Sequence, residues 1–247
     1  TPMPEKSSFK PIRFIPVNGL YEKDGTNPTE AKFVIDILFN KIRPYENGEF
    51  PSVGIATFNI HQRNKILELI QDECYLDDSK REKHEKLRVA GLFVKNLENI
   101  QGDERDIMIL STTFGMNSAG KFRQNFGPIN QSKGYKLFNV LITRAKKKLI
   151  LCTSIPSEYY EKYREEIPVR GNTGKAIFYA YLAYAESIER GNEETRQNIL
   201  NLLKEQCAEE SPTKQEKFVE SPFEQEVFDY LTDYIDNSRI EVQYEFG

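Results

Sequence analysis

Apolar runs of strand length alternate with stretches of helical periodicity through residues 1–154, and that alternation predicts a parallel sheet flanked by helices, an α/β fold. The strand-like runs are Pro11–Val17, Ser52–Phe58, Gly91–Lys95, Ile107–Phe114 and Leu149–Cys152. The fourth is almost continuously apolar, as a strand buried on both faces requires. A first helix is expected to begin at Pro28, with Thr26 or Asn27 as N-cap, Glu30 near the favourable dipole end, and Phe33, Ile37 and Leu38 inward. A second spans Asn59–Leu76 with Ile66, Leu67, Leu69 and Ile70 inside. The charge run Asp77–Arg88 reads as a solvated loop or helix face. In Tyr135–Ser154, the residues Leu137, Phe138, Val140, Leu141 and Ala145 recur at helical spacing, so helix, an Arg-Ala-Lys turn and strand are expected in that order. Thr143, Arg144 and Lys146 then lie on the last helical turn, near a sheet edge of the kind where open α/β sheets bind ligands.

Beyond Ser154 the pattern loses its strands. Residues 155–207 read as a helical appendage whose Phe178, Tyr181, Leu182, Tyr184 and Ala185 form a packing face against the sheet. Residues 208–220 have linker composition, and 221–247 read as the start of a small α/β piece, with Ser221 as N-cap and Glu224 completing a capping box. No repeat of fixed period is present, which excludes solenoids and propellers.

Composition narrows the class without naming a function. At 247 residues, 38% hydrophobic and 12% aromatic, the chain can bury a substantial core. No apolar run approaches the roughly 20 residues that span a bilayer, so no membrane partner is expected. Three isolated cysteines fit a reducing compartment, and with no targeting pattern at the N-terminus the expected location is cytoplasmic. A net charge of −4 means that any nucleic-acid contact must come from local basic patches. With only His61 and His84 and no CxxC pair, no metal site is expected.

The candidate chemistry lies where polar residues meet the ends of strands. Three such segments are Thr57–Arg63 (TFNIHQR), Asn99–Ser111 (NIQGDERDIMILS) and Phe138–Leu151 (FNVLITRAKKKLIL). Thr57, Asn59, Gln62 and Arg63 sit where a strand ends and a helix begins, a setting suited to phosphates of a nucleic-acid strand. Between Gly115 and Gly134 a long loop carries Lys121, Arg123 and Lys133 among glycines, followed by Lys136, and these could add to a grip on the strand. The GNTGKA stretch (171–176) has the wrong glycine spacing for a phosphate-binding loop, and Ala176 stands where a magnesium-ligating hydroxyl belongs.

In these three segments, with strands between them, the chain resembles the second RecA-like motor domain of superfamily 1 helicases over about residues 10–154. Gln101, Gly102 and Glu104 before the Ile107–Leu110 strand match its Gln-Gly-x-Glu pattern; Asn139, Val140, Thr143, Arg144 and Ala145 match its Asn-Val-x-x-Thr-Arg-Ala pattern. Thr26, Asn27, Glu30 and Ala31 are similar to the Upf- and Dna-type branch, and FGPIN (126–130) to a large bacterial subgroup. The resemblance implies a RecA-like three-layer fold in which Arg144 is an arginine finger for ATP. Thr143 would bind the nucleotide beside it, Glu104 would approach the ribose, and Gln101 would help couple nucleotide state to strand grip, with Gly102 allowing the close backbone approach. ATP with magnesium would be held mainly by a first motor domain of the same polypeptide, none of it by this chain alone, and single-stranded DNA or RNA would be the partner. Whether this chain alone is an enzyme is left open. Residues 221–247 resemble, more weakly, the start of a restriction-endonuclease-like domain with Glu224 as its acidic residue. A docking module that kept the motor fold without catalysis is the alternative.

Overall fold

The computed structural model describes residues 10–100, 102–131, 134–170 and 173–209. The chain divides into two compact units, residues 1–206 and 207–247, and of the second only 207–209 are described. Gln101, Lys133 and Glu224 lie outside the described residues, as do the 208–220 linker but for its first two residues and the whole of 221–247.

Five strands form one all-parallel sheet in the order β1-β5-β4-β2-β3: β1 Ile12–Pro16, β2 Val53–Thr57, β3 Phe93–Asn96, β4 Arg105–Gly115 and β5 Ala145–Ser154. The two longest, β4 and β5, are neighbours at its heart. Their side chains alternate between two cores, which makes the fold three-layered and RecA-like. Met108, Leu110, Leu149 and Leu151 face one layer, built by α4 (Gly134–Ile142) and α7 (Gly174–Arg190). Ile109, Ile150 and Cys152 face the other, built by α1 (Pro28–Asp36), α2 (Ile60–Leu76) and α3 (Asp78–Val89). The remaining α-helices among the described residues are α5 (Ser157–Tyr160), α6 (Tyr163–Arg170) and α8 (Glu193–Glu209). No described helix is long and apolar enough to cross a membrane.

The helices after β5 are bound into the sheet domain's own core. Phe178, Leu182 and Ala185 of α7 are fully buried, and Phe178 packs its ring on Phe58, Phe126 and Phe138 at centroid distances of 4.9, 5.1 and 5.3 Å. Tyr181 and Tyr184 are half-buried instead and line an apolar groove of about 200 Å³ between α4, α7 and α8.

Local chemistry corrects several expectations. Phe33 is 43% exposed, because α1 turns Ala31, Val34 and Ile35 toward the sheet. Leu67 and Leu69 are only half-buried, leaving Ile66 and Ile70 as the inner face of α2. The charge run takes the helix-face form of the two expected, as α3, capped by Asp77 through bonds from the Ser79 and Lys80 N–H groups and anchored by buried Leu87. The helix before Arg144 ends at Ile142. Thr143 Oγ1 and Arg144 Nε both donate to the Val140 carbonyl and occupy the helix end, while Ala145 already pairs with Arg105 in the sheet. The lysines that follow are strand residues, not a turn.

Candidate functional site

Polar groups gather at both ends of β4 and β5, and the parallel sheet keeps the two gatherings apart. β5 has ten residues, which at about 3.3 Å each separates them by roughly 30 Å. Arg144 sits at the amino end of the strands, opposite to the carboxyl end at which an α/β sheet was expected to present it.

At the amino end, the register of β4 on β5 sets Arg144 beside Glu104. The Arg105 N–H donates to the Arg144 carbonyl at 3.0 Å, and Arg144 Nη1 lies 3.7 Å from Glu104 Oε1. Bonds from Nε to Val140 O (3.0 Å) and from Nη2 to Thr143 Oγ1 (3.2 Å) hold the guanidinium against its own helix. Lys146 reaches the same carboxylate at 4.0 Å. Gly102 adopts φ +84°, a left-handed turn that only glycine takes without strain, and its Cβ position faces open space. The glycine there answers a backbone need, not a close approach. Along the same end runs a cleft of about 700 Å³, lined among others by Tyr45, Phe50, Glu85 and Asp106, with Asp106 paired to Lys147 at 3.0 Å.

At the carboxyl end, the residues expected to grip a strand are largely turned inward. Thr57 and Gln62 are fully buried. Asn59 caps α2, accepting from the Gln62 N–H at 2.8 Å while its amide donates to the Gly25 carbonyl at 3.0 Å. Arg63 is half-buried, with Nε 3.4 Å from Val94 O and Nη1 3.3 Å from Asn64, which leaves guanidinium donors for a ligand. Gln62 serves the fold: Oε1 accepts from the Asn27 N–H at 2.8 Å, and Nε2 donates to Asn27 O and Ser111 Oγ.

Behind Gln62 lies a hub that the spacing of residues did not announce. Glu30 is completely buried, and its carboxylate accepts from Ser111 Oγ at 2.6 Å, the Thr113 N–H at 2.7 Å and Ser154 Oγ at 2.8 Å. Burial pushes its pKa up to about 7, against the pull of these donors. Asn27 caps α1 with Oδ1 and donates from Nδ2 to Thr113 O and Ser154 Oγ. Thr113 itself sits at φ +70° within an irregular stretch of the β4–β5 register, and its buried hydroxyl has no partner. A β-branched residue in that region is strained. The readable signal was an acid in the first turn of an Asn-capped helix together with hydroxyls at two strand ends.

Gly174 and Lys175 of the GNTGKA stretch form no phosphate cradle. Lys175 pairs with Glu166 at 2.6 Å, and a Cβ on Gly174 would stand 2.0 Å from the Ile129 carbonyl oxygen. Among the described residues no cluster of His, Cys, Asp and Glu could hold a metal ion.

Two proteins named as uncharacterized ATP-dependent helicases are similar to this chain. MG140 of Mycoplasma genitalium is 31% identical over 180 residues, and its homolog of Mycoplasma pneumoniae 29% over 181; each match covers 72% of this chain and 15% of the relative. The chain therefore spans a small part of these relatives' length. The AAA domain family matches residues 3–155, and so, with more than half its length and the whole parallel sheet inside that match, this chain belongs to the AAA domain family.

Proposed function

We propose that this chain is the C-terminal motor half of an ATP-dependent superfamily 1 helicase or translocase acting on single-stranded nucleic acid, with Arg144 as the arginine finger for a nucleotide held mainly by a first motor domain. The names of the two Mycoplasma relatives support the helicase reading. The observation that carries Arg144's role is its fork: a guanidinium set by Val140 O and Thr143 Oγ1 beside the half-exposed Glu104. An arginine finger needs a permanent, delocalised charge at a rigid position, and the end of α4 supplies one. ATP with magnesium supplies the phosphoryl transfer. With nucleotide bound, Arg144 would turn from Glu104 to the γ-phosphate and the freed Glu104 carboxylate would face the ribose, while Gln101 would couple nucleotide state to strand grip beside Gly102. Thr143 Oγ1, which accepts from Arg144 Nη2, sets the guanidinium beside the nucleotide site. At the other end, Arg63 and the α2 N-terminus meet the backbone of the strand, while Thr57, Asn59 and Gln62 shape that end from inside.

Arg144→Ala in the full-length protein should lower nucleic-acid-stimulated ATP turnover by about 10³-fold, as for other arginine fingers. Arg144→Lys should recover little of it, and affinity for single strands without nucleotide should stay within about threefold. Turnover near wild type in Arg144→Ala would refute the assignment.

A further inference from the structure

The Glu30 hub has a mechanical consequence beyond stability. Its Oε1 takes the N–H of Thr113, the one non-glycine residue with positive φ among those described. Two residues on, Gly115 is clamped between the Gly19 carbonyl and Ser154, where a Cβ would meet backbone at 2.8 Å. The chain then leaves the sheet in a small hairpin closed by the Met116–Phe122 bridge and by Met116 O, which accepts from the Tyr21 N–H at 2.9 Å. Exposed Lys121 and Arg123 lie at and beside that hairpin. On its other side the hub runs through Asn27 and Gln62 to the first turn of α2, where Arg63 stands.

We propose that Glu30 is a positioning residue for the nucleic-acid grip: by holding Thr113 in its left-handed turn it aims the Met116–Phe122 hairpin, with Lys121 and Arg123, toward the same side as Arg63. This rests on the reading that single-stranded nucleic acid meets the carboxyl end of the sheet. The ligand is the phosphate backbone, since the groups aimed are cationic and none is placed to read bases. Strained backbone persists where surrounding structure over-determines it, and here a single carboxylate oxygen holds both the Ser111 hydroxyl and the strained N–H.

The role depends on reach, so three variants of the full-length protein separate it from charge and from general stability. Glu30→Asp keeps the carboxyl group but withdraws it by one methylene; half-saturation by oligo-dT or oligo-U in the ATPase assay should rise at least tenfold with kcat within twofold. Glu30→Gln keeps an oxygen at Oε1, and half-saturation should stay within about threefold. Adding Thr113→Gly to Glu30→Asp should restore most of the loss, because glycine holds positive φ unaided. Equal effects of Asp and Gln, or no recovery with Thr113→Gly, would overturn the proposal. Hydrogen exchange decides independently of binding: amides 113–122 should exchange faster in Glu30→Asp and slow again in the double variant, and unchanged exchange would also overturn it. If the wild-type protein binds no single strand at low salt while the exchange pattern holds, the nucleic-acid reading fails and the latch stands.

Discussion

Gly174→Ala tests the packing of α7 with a perturbation whose sign is decisive. Gly174 opens α7, and a Cβ there would lie 2.0 Å from the Ile129 carbonyl oxygen and 2.9 Å from the backbone of Gly134 and Tyr135. Helix propensity alone favours alanine over glycine by up to about 1 kcal/mol. The contact pulls the other way: all three neighbours are backbone, so no rotamer change relieves it, and α7 must move by more than about 1 Å from α4. Overpacking of this kind costs roughly 1–3 kcal/mol, and the rigid partner puts it near the upper limit. The net loss of about 2 kcal/mol corresponds to a fall in Tm of about 4–8 °C for a unit of this size. Thermal unfolding followed by circular dichroism measures it directly. A Tm that stays or rises would mean that the α7 N-terminus does not seat on Ile129, and the explanation of GNTGKA as a packing motif would fail with it.

Phe178→Ala removes the ring shared by Phe58, Phe126 and Phe138 and should cost about 3–5 kcal/mol, read as a lower denaturation midpoint at unchanged slope. For Glu30, folding raises the pKa from 4.5 to about 7, so the folded state binds the extra proton between those values. Stability from this group is fully present below about pH 4.5 and is lost as pH rises toward 7, a fall on the order of 3 kcal/mol. Denaturant titrations of wild type and Glu30→Gln across that window should differ by this slope; parallel curves would show that Glu30 does not carry the proton.

The sheet was legible because buried parallel strands write themselves as apolar runs, and each expected run became a strand in the expected sequence order. The start of β5 was not, since Ala145–Lys148 is a polar stretch that joins the sheet through its backbone, and backbone pairing leaves no side-chain signature. The polar residues at strand ends were recognisable as a group but not by direction. Thr57 and Gln62 are polar like Arg63, yet Gln62 faces inward because Asn27 and Ser111, distant in sequence, offer it partners. Glu30 was visible only as a favourable charge in a first helical turn. Its burial depends on three donors from β4 and β5, which no local pattern around residue 30 can reveal.

The separation of the two polar ends bears on how a motor of this kind could work. From Ile107 to Ser111 β4 is paired residue by residue with β5, and from Met108 and Leu149 onward the two strands are buried on both faces, so the middle of the pair behaves as one stiff body. A pull on Arg144 at their amino end therefore cannot be absorbed midway. It reaches Ser111, Thr113 and Ser154 some 30 Å away as a displacement of the whole strand pair. There the pair is tied to α1 and α2 by Glu30, Asn27 and Gln62, hydrogen bonds that are directional and hold a strained turn. The strained element lies at the carboxyl end, in Thr113 and the hairpin that follows it, which is where the proposed grip on a strand would change.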